Sequence, residues 1–370
     1  MKNTSIILVV LFLSTGAGAC DSVIREFKRD CAIQDQFTSL RERFKKQNIN
    51  IDDLAEYRAL RFIERPAWEE AKKKGKRVES IYEPAPLTWR IWDAGIRTIF
   101  NNDGALNKNI LSKDLTINEA SISSINHNLL SDGHKSVKDK ATNAELYAGQ
   151  YRSPDAQGVG FCSDAGPDYQ AQINEAIKSA AQFQQRWETA VGYSLSSALV
   201  TQTGAAHTKF DRAFLPDLTF YQSQCNQFNK TRVDVFINYL ESAQVMDRIK
   251  ALSLFVKINL ELYQQNKPAV APIALAAFVQ KWLIFTHPFA DGNGRTSRAV
   301  QDLILTNFNM PFAPSGDLQD DVLISFDKYL ELNYVKMEAM LSVLNDCASM
   351  VEGNQSQLNT LPQCRVLTGK

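Results

Sequence analysis

The chain has little histidine: four residues in 370, at positions 127, 134, 207 and 287. Its six cysteines include no Cys-x-x-Cys pair. A structural zinc site needs such groups at ligand spacing, so none is expected. It also lacks an excess of charge of either sign, since 41 basic side chains face 41 acidic ones. No whole-protein field then draws the chain to nucleic acid or an anionic membrane. The basic run Lys72-Lys73-Lys74-Gly75-Lys76-Arg77 is local, follows Glu69-Glu70, and reads as a solvated helix end. There is no internal repeat and no long low-complexity run. No segment past the first nineteen residues is long and apolar enough to cross a bilayer.

Those first residues carry Lys2, an unbroken apolar run from Ile6 to Leu13, and small residues ending Ala17-Gly18-Ala19. This is the pattern of a secretory signal peptide cut after Ala19. Cys20 directly after the cut raises a lipoprotein alternative, but a lipobox usually has Leu where Ala17 stands. The expectation is a soluble, exported protein, secreted or periplasmic. Six cysteines in an exported chain suit disulfides, and short separations favour Cys20–Cys31 and Cys347–Cys364. Buried thiols are the alternative.

Periodicity predicts an all-α protein, mostly a helical bundle, with one short β-hairpin. Helices are expected over 33–47, 51–63 (closed by Pro66), 170–190, Arg248–Tyr263, 271–286, Val300–Phe308 and 319–347. The stretch 271–286 is apolar nearly all round, the mark of a central buried helix. Pro84-Ala85-Pro86 reads as a linker, after which Trp89-Arg90-Ile91-Trp92 begins the core helices. Pro311 and Pro314 end the helix that starts at Val300. The only strands expected form a hairpin around 150–162, with Gly158 and Gly160 as turn candidates. The region 191–230 is an apparent insertion without a functional account.

The chemistry concentrates in residues 287–298, His-Pro-Phe-Ala-Asp-Gly-Asn-Gly-Arg-Thr-Ser-Arg, between two helical stretches. Gly292, Asn293 and Gly294 tolerate left-handed backbone and let a ligand approach the main chain. A helix starting there would turn its first, unpartnered N–H groups toward an anion. Arg295 and Arg298 lie one turn apart, so both forks can reach one phosphate chain. Asp291 is a hard oxygen ligand suited to Mg²⁺. His287 is the candidate general base, and Phe289 an anchor for the loop. Singly, each has a structural reading: a capping His, a turn, a solvated arginine pair, a capping Asp. Their contiguous order outweighs these.

The dozen matches the Fic motif, His-x-Phe-x-(Asp/Glu)-Gly-Asn-(Gly/Lys)-Arg-x-x-Arg, at every defined position. Gly149-Gln150-Tyr151-Arg152 resembles the start of that family's substrate-holding flap. Ile125-Asn126-His127-Asn128-Leu129-Leu130 resembles the helix before the flap, and Pro272 to Ala277 the apolar helix leading into the motif. The resemblance to the Fic (Fido) family covers roughly residues 110–315. It implies a Fic fold at 87–345 with an insertion around 191–230. Residues 20–86 then form a helical N-terminal extension and 346–370 a C-terminal tail.

By the same resemblance the activity would be protein adenylyl transfer, moving AMP from ATP to a Ser, Thr or Tyr hydroxyl of a target protein with Mg²⁺. His287 would take the hydroxyl proton and Asp291 would hold the metal. Asn293 with the Gly292 and Gly294 amides would stabilise the α-phosphate, Arg295 would bind the inner phosphates and Arg298 the outer ones. Gly149, Tyr151 and Arg152 would open the target-binding flap. Gly294, where Doc-type phosphorylating relatives carry Lys, favours AMP transfer. Another nucleotidyl or phosphoryl transfer, or a catalytically silent peptide-binding module, are the competing readings. Ser349-Met350-Val351-Glu352-Gly353 has the Glu-Gly of the family's autoinhibitory helix, but the serine is one residue too close. Glu352 is therefore expected in a solvated tail and not as a brake. Export and ATP use are reconciled by a secreted effector acting inside a host cell or compartment, or by an ATP-supplied secretory lumen.

Overall fold

The computed structural model describes residues 25–54, 117–130, 136–138, 145–152, 157–163, 169–195, 219–224, 233–239, 242–314, 318–353 and 364, with short stretches at 57, 70 and 73–75. Among them lie eight α-helices: α1 (Arg25–Lys46), α2 (Glu119–Leu129), α3 (Tyr169–Val191), α4 (Ser242–Gln264), α5 (Pro272–Thr286), α6 (Asn293–Asn307), α7 (Leu318–Leu323) and α8 (Phe326–Gly353). The described strands are β1 (Ser136–Lys138), β2 (Glu145–Tyr147), β3 (Gln157–Ser163), β4 (Thr219–Gln224) and β5 (Val233–Asn238). The fold is mostly helical, as the periodicity predicts.

Every residue of α5 is buried. A helix apolar on all sides is stable only with neighbours all round, and α5 packs against α1, α4, α6, α7 and α8. Pro272 stands in its first turn, where the missing N–H would have had no partner anyway. Ala271 at the N-cap has no capping side chain, and the carboxylate of Asp30 on α1 accepts the Ile273 amide instead, at 2.8 Å.

That bond ties α1 into the core. Phe27, Ile33, Phe37, Leu40 and Phe44 form its buried face, each side chain contributing about 1.5–3 kcal/mol. Arg29 bonds Glu331 and Glu338, and Arg43 bonds Asn345 and Glu352. The two arginines are two heptads apart, and each bridges α8 residues one heptad apart. The pairing identifies α1 and α8 as parallel helices in coiled-coil-like register. The glutamates are half-exposed, so such pairs contribute at most about 1 kcal/mol each and set register more than stability.

Several boundaries depart from the sequence reading. The helix expected over 33–47 begins at Arg25. After it, Ile51–Asp53 is a short 3₁₀ turn capped by Asn50, and most of 51–63 lies outside the described residues. The helix expected over 319–347 is two helices, broken at Ile324–Ser325, where the Phe326 amide donates to Ser179 Oγ of α3 at 2.9 Å. The second runs on to Gly353, so Glu352 sits on α8 paired with Arg43 and not in a loose tail. Among the described residues of the hairpin expected around 150–162 there is one strand, β3, which includes Gly158 and Gly160 and pairs antiparallel with the distant β5. Its register slips between Gln157 and Gly160, where glycines suit an irregular strand. β5 also pairs with β4, giving the order β3-β5-β4, and β4 lies within the presumed insertion. A two-stranded hairpin, β1–β2, was not anticipated either. Strands this short show too few alternations to be legible as a pattern.

Cys347 and Cys364 form the expected disulfide. Cys31 is disulfide-bonded as well, while its expected partner Cys20 lies outside the described residues, as do the leader at 1–19, the linker at 84–86 and residues 89–92. Among the described residues no helix is long and apolar enough to cross a membrane.

Asp30 also accepts the Tyr334 hydroxyl, and burial raises its pKa from 3.8 to about 7. A raised carboxylate pKa means that the folded state holds the proton longer than the unfolded chain. Its stabilising effect is therefore full below the ordinary carboxylate range and declines as pH rises through about 7. Asp30→Ala leaves two buried donors unpaired and is expected to lower unfolding stability by about 2–3 kcal/mol. In urea titrations from pH 4 to 8, Asp30→Asn is expected to show a shallower decline than wild type. Parallel profiles for the two proteins would refute this assignment.

Candidate active site

The site is the turn from α5 into α6, whose backbone groups are held by residues from three other segments. His287 closes α5 in a left-handed conformation, φ 48°, with its N–H bonded to the Leu283 carbonyl. Arg152 donates from Nε to the His287 carbonyl at 2.6 Å and from its main-chain N–H to the Pro288 carbonyl at 3.0 Å. A guanidinium at a helix C-terminus satisfies orphan carbonyls and complements the dipole. Tyr151 forms an isolated antiparallel bridge with Phe289, and their rings stack at 4.9 Å. Its hydroxyl donates to the Glu119 carbonyl at 2.6 Å. Phe289 is the buried anchor that the sequence suggests.

Two asparagines close the loop. The Asn293 side chain donates to the Phe289 carbonyl at 2.8 Å and accepts the Phe289 amide at 2.9 Å. Asn126 of α2 donates to the Asp291 carbonyl and to Thr296 Oγ1, both at 3.0 Å, and accepts the Gly149 amide at 2.7 Å. One side chain thus fastens the loop, the first turn of α6 and the segment leading to β3.

These contacts give four of the expected residues a structural role. Arg152 is 3 % exposed, and Tyr151 and Arg152 use their polar groups on the α5–α6 turn and on α2. Gly149, φ 81°, sits where a Cβ would meet His127 Cβ and the Ser123 carbonyl oxygen at 2.9 Å. These three brace the segment that leads to β3. Asn293 uses its side chain on the two backbone groups of Phe289.

The remaining groups line the turn. The His287 imidazole stacks on the buried Tyr239 ring at 4.1 Å, 12° from parallel. Burial and then the Arg152 charge push its pKa down to about 3, against a weaker opposing pull from the Ile284 carbonyl. The imidazole is therefore neutral at physiological pH. Asp291 is half-exposed, and its Oδ1 accepts the Gly292 amide at 2.6 Å and Arg295 Nη2 at 3.1 Å. Burial lowers the Arg295 pKa and Asp291 partly restores it. α6 begins after Gly292, φ 77°, with no side-chain cap, so its first turn offers its amides to an anion. Arg298, one turn on, donates from Nη1 to Asp321 Oδ2 at 3.1 Å.

The structure thus gathers His287, Asp291, Gly292, Asn293, Gly294, Arg295 and Arg298 at one turn. The sequence reading gave no role to Asn126, which lay in a quoted stretch, nor to Tyr239 and Asp321, which no local pattern marks. Asp291 is a single carboxylate, and no group of three or more His, Cys, Asp or Glu able to hold a metal occurs among the described residues. Such a ligand suits a divalent cation shared with phosphate oxygens and not one caged by protein.

The model of the Fic/DOC family matches residues 231–305, which include this turn. A Fido domain-containing protein of Dictyostelium discoideum is 31 % identical over 102 residues, which are 26 % of this chain and 71 % of that relative. No solved structure matches the chain. The protein belongs to the Fic/DOC family, whose domains act in general on protein targets with nucleotide substrates.

The two motif glycines differ in what they tolerate. At Gly292 a Cβ would meet Asn126 Nδ2 and Leu130 Cδ2 at 3.0 Å with φ positive, whereas at Gly294 it would meet Arg298 Nη2 at an ordinary 3.5 Å. Gly292→Ala is expected to destabilise the fold by about 1–3 kcal/mol. Gly294→Ala is expected to melt within a few degrees of wild type while weakening anion binding at the helix start. Thermal unfolding of both variants decides, and equal melting of the two would contradict the geometry.

Proposed function

We propose that the protein transfers AMP from ATP to a Ser, Thr or Tyr hydroxyl of a target protein. The observation that carries this is the pairing of a neutral, buried-side imidazole with an uncapped helix start bearing two arginines, at opposite ends of one short turn. His287 takes the proton of the target hydroxyl. The hydroxyl oxygen then attacks the α-phosphorus, the bond from that phosphorus to the bridging oxygen breaks, and pyrophosphate departs. The amides at the start of α6 face the charge that builds on the α-phosphate. Arg295 binds inner phosphate oxygens and Arg298 those of the leaving group. Asp291 would hold Mg²⁺ jointly with the phosphates, where the ion supplies neutralisation of their charge. Among the described residues β3 is paired along one edge only, by β5. An extended target segment laid along its other edge would be fixed by main-chain hydrogen bonds. The disulfides at Cys31 and Cys347–Cys364 support an exported protein working where ATP is supplied, inside a host cell or in a secretory lumen.

With Mg²⁺ and candidate targets, label from α-³²P-ATP is expected on protein and label from γ-³²P-ATP is not. Label from the γ-phosphate indicates phosphoryl transfer, and none from either indicates a binding module. His287→Ala is expected to cut labelling at least about 10²-fold while the variant still folds, as read by circular dichroism. A second test uses pH. A base with a lowered pKa stays neutral to lower pH, so kcat/KM for ATP, which reports the free enzyme, is expected to hold its plateau below pH 6. Tyr239→Leu, which removes the ring stacked on His287, is expected to move the acid limb up toward the ordinary imidazole value. An unmoved limb would count against Tyr239 shielding the base.

A further inference from the structure

Behind Arg298 lies a buried group of charges that the proposed chemistry does not use. Asp321, on α7, is 1 % exposed. Its Oδ2 accepts Arg298 Nη1 at 3.1 Å, and its main-chain carbonyl accepts Nζ of the fully buried Lys281 at 2.9 Å. That ammonium also sits 4.8 Å from the centre of the Tyr329 ring. Next to it Lys336 pairs with Asp320 at 2.9 Å. Three cations therefore surround two carboxylates. Burial pushes the Asp321 pKa up while Arg298, Lys281 and Lys336 pull it down.

Among the described residues, the Arg298 guanidinium has one hydrogen-bonded partner, Asp321. Nη1 faces Asp321, while Nη2 is the guanidinium atom nearest to the Cβ position of Gly294, at 3.5 Å. The group thus lies beside the first turn of α6 with its other donors left for a ligand. An arginine side chain on a helix surface samples many rotamers, and fixing it before a ligand arrives removes that entropy from binding. A buried carboxylate, itself expensive unless paired, is a stiff anchor for this purpose. Lys281 reinforces the anchor through the main chain of residue 321, a contact that does not involve the Asp321 carboxylate.

We propose that Asp321 is the positioning residue of Arg298, holding its guanidinium at the edge of the α6 helix start so that it meets the outer phosphates of the nucleotide. The inference rests on the reading of that helix start as a polyphosphate site.

The test measures binding of inorganic tripolyphosphate, by calorimetry at low salt, to wild type, Asp321→Asn, Arg298→Ala and the double variant. Asp321→Asn keeps an acceptor for Nη1 and leaves the Lys281 bond to the main chain intact, but removes the charge. It is expected to weaken binding about tenfold in the wild-type background and less than twofold beside Arg298→Ala. Equal weakening in both backgrounds would show a general effect on the fold and overturn the proposal. Tighter binding by Asp321→Asn would also overturn it, since the carboxylate would then be a competitor for Arg298. Should Asp321→Asn fail to fold, Asp321→Glu keeps the charge but moves it by one methylene. Weakening by that variant is likewise expected only where Arg298 is present, and unchanged affinity would refute the positioning role. AMP labelling is read separately. Absent α-³²P labelling with the expected binding cycle would end the adenylyl-transfer reading and leave this one standing. A wild-type protein that binds no tripolyphosphate would end both.

Discussion

Carbonyl and amide groups at the junction of two buried helices need partners, and the α5–α6 turn finds them in other segments. The His287 and Pro288 carbonyls are met by Arg152, both polar backbone groups of Phe289 by Asn293, and the Asp291 carbonyl by Asn126. An unpaired buried polar group costs about 1–3 kcal/mol, so these partners decide the shape of the loop. That shape sets the imidazole and the uncapped start of α6 at opposite ends of one turn. Without the clamp, the motif residues would be near neighbours in sequence with no common geometry.

The clamp also joins the flap to the chemistry. Gly149, Tyr151 and Arg152 are fixed to α2 and to the turn by hydrogen bonds. A target segment guided by β3 would then be registered against His287 through a few hydrogen bonds. Tyr239, directly after β5, places its ring on the imidazole and so connects the small sheet to the base. The sheet thereby packs directly against the imidazole that closes α5.

Farther out, buried charge recurs as a means of fixing elements. Asp30 caps α5 from α1, and Lys281 grips α7 from α5. Each ionic group is costly alone and tolerable only with its partners, which makes the arrangement specific. The parallel pairing of α1 with α8 adds heptad register on the outside. As a consequence α1, on the sequence reading part of an extension, shares one hydrophobic core with the helices that carry the motif.

Much of this was legible in the chain. The long helices and the central burial of 271–286 follow from side-chain periodicity, because a helix repeats its faces every few residues. The motif at 287–298 announced its chemistry because one turn holds all its parts. Short strands gave no such signal, and β3 finds its partner some seventy residues away at β5. The roles of Asn126, Tyr239 and Asp321 likewise depend on distant partners, and Tyr151, Arg152 and Asn293 proved to be braces because their side chains fold back onto the loop. The sequence by itself determined the long helices and which groups are candidates for the chemistry, since both are properties of neighbouring residues. Only the tertiary structure decided which side chains reach a ligand and which hold the others still, because that follows from backbone groups, far apart in the chain, that burial forces to pair.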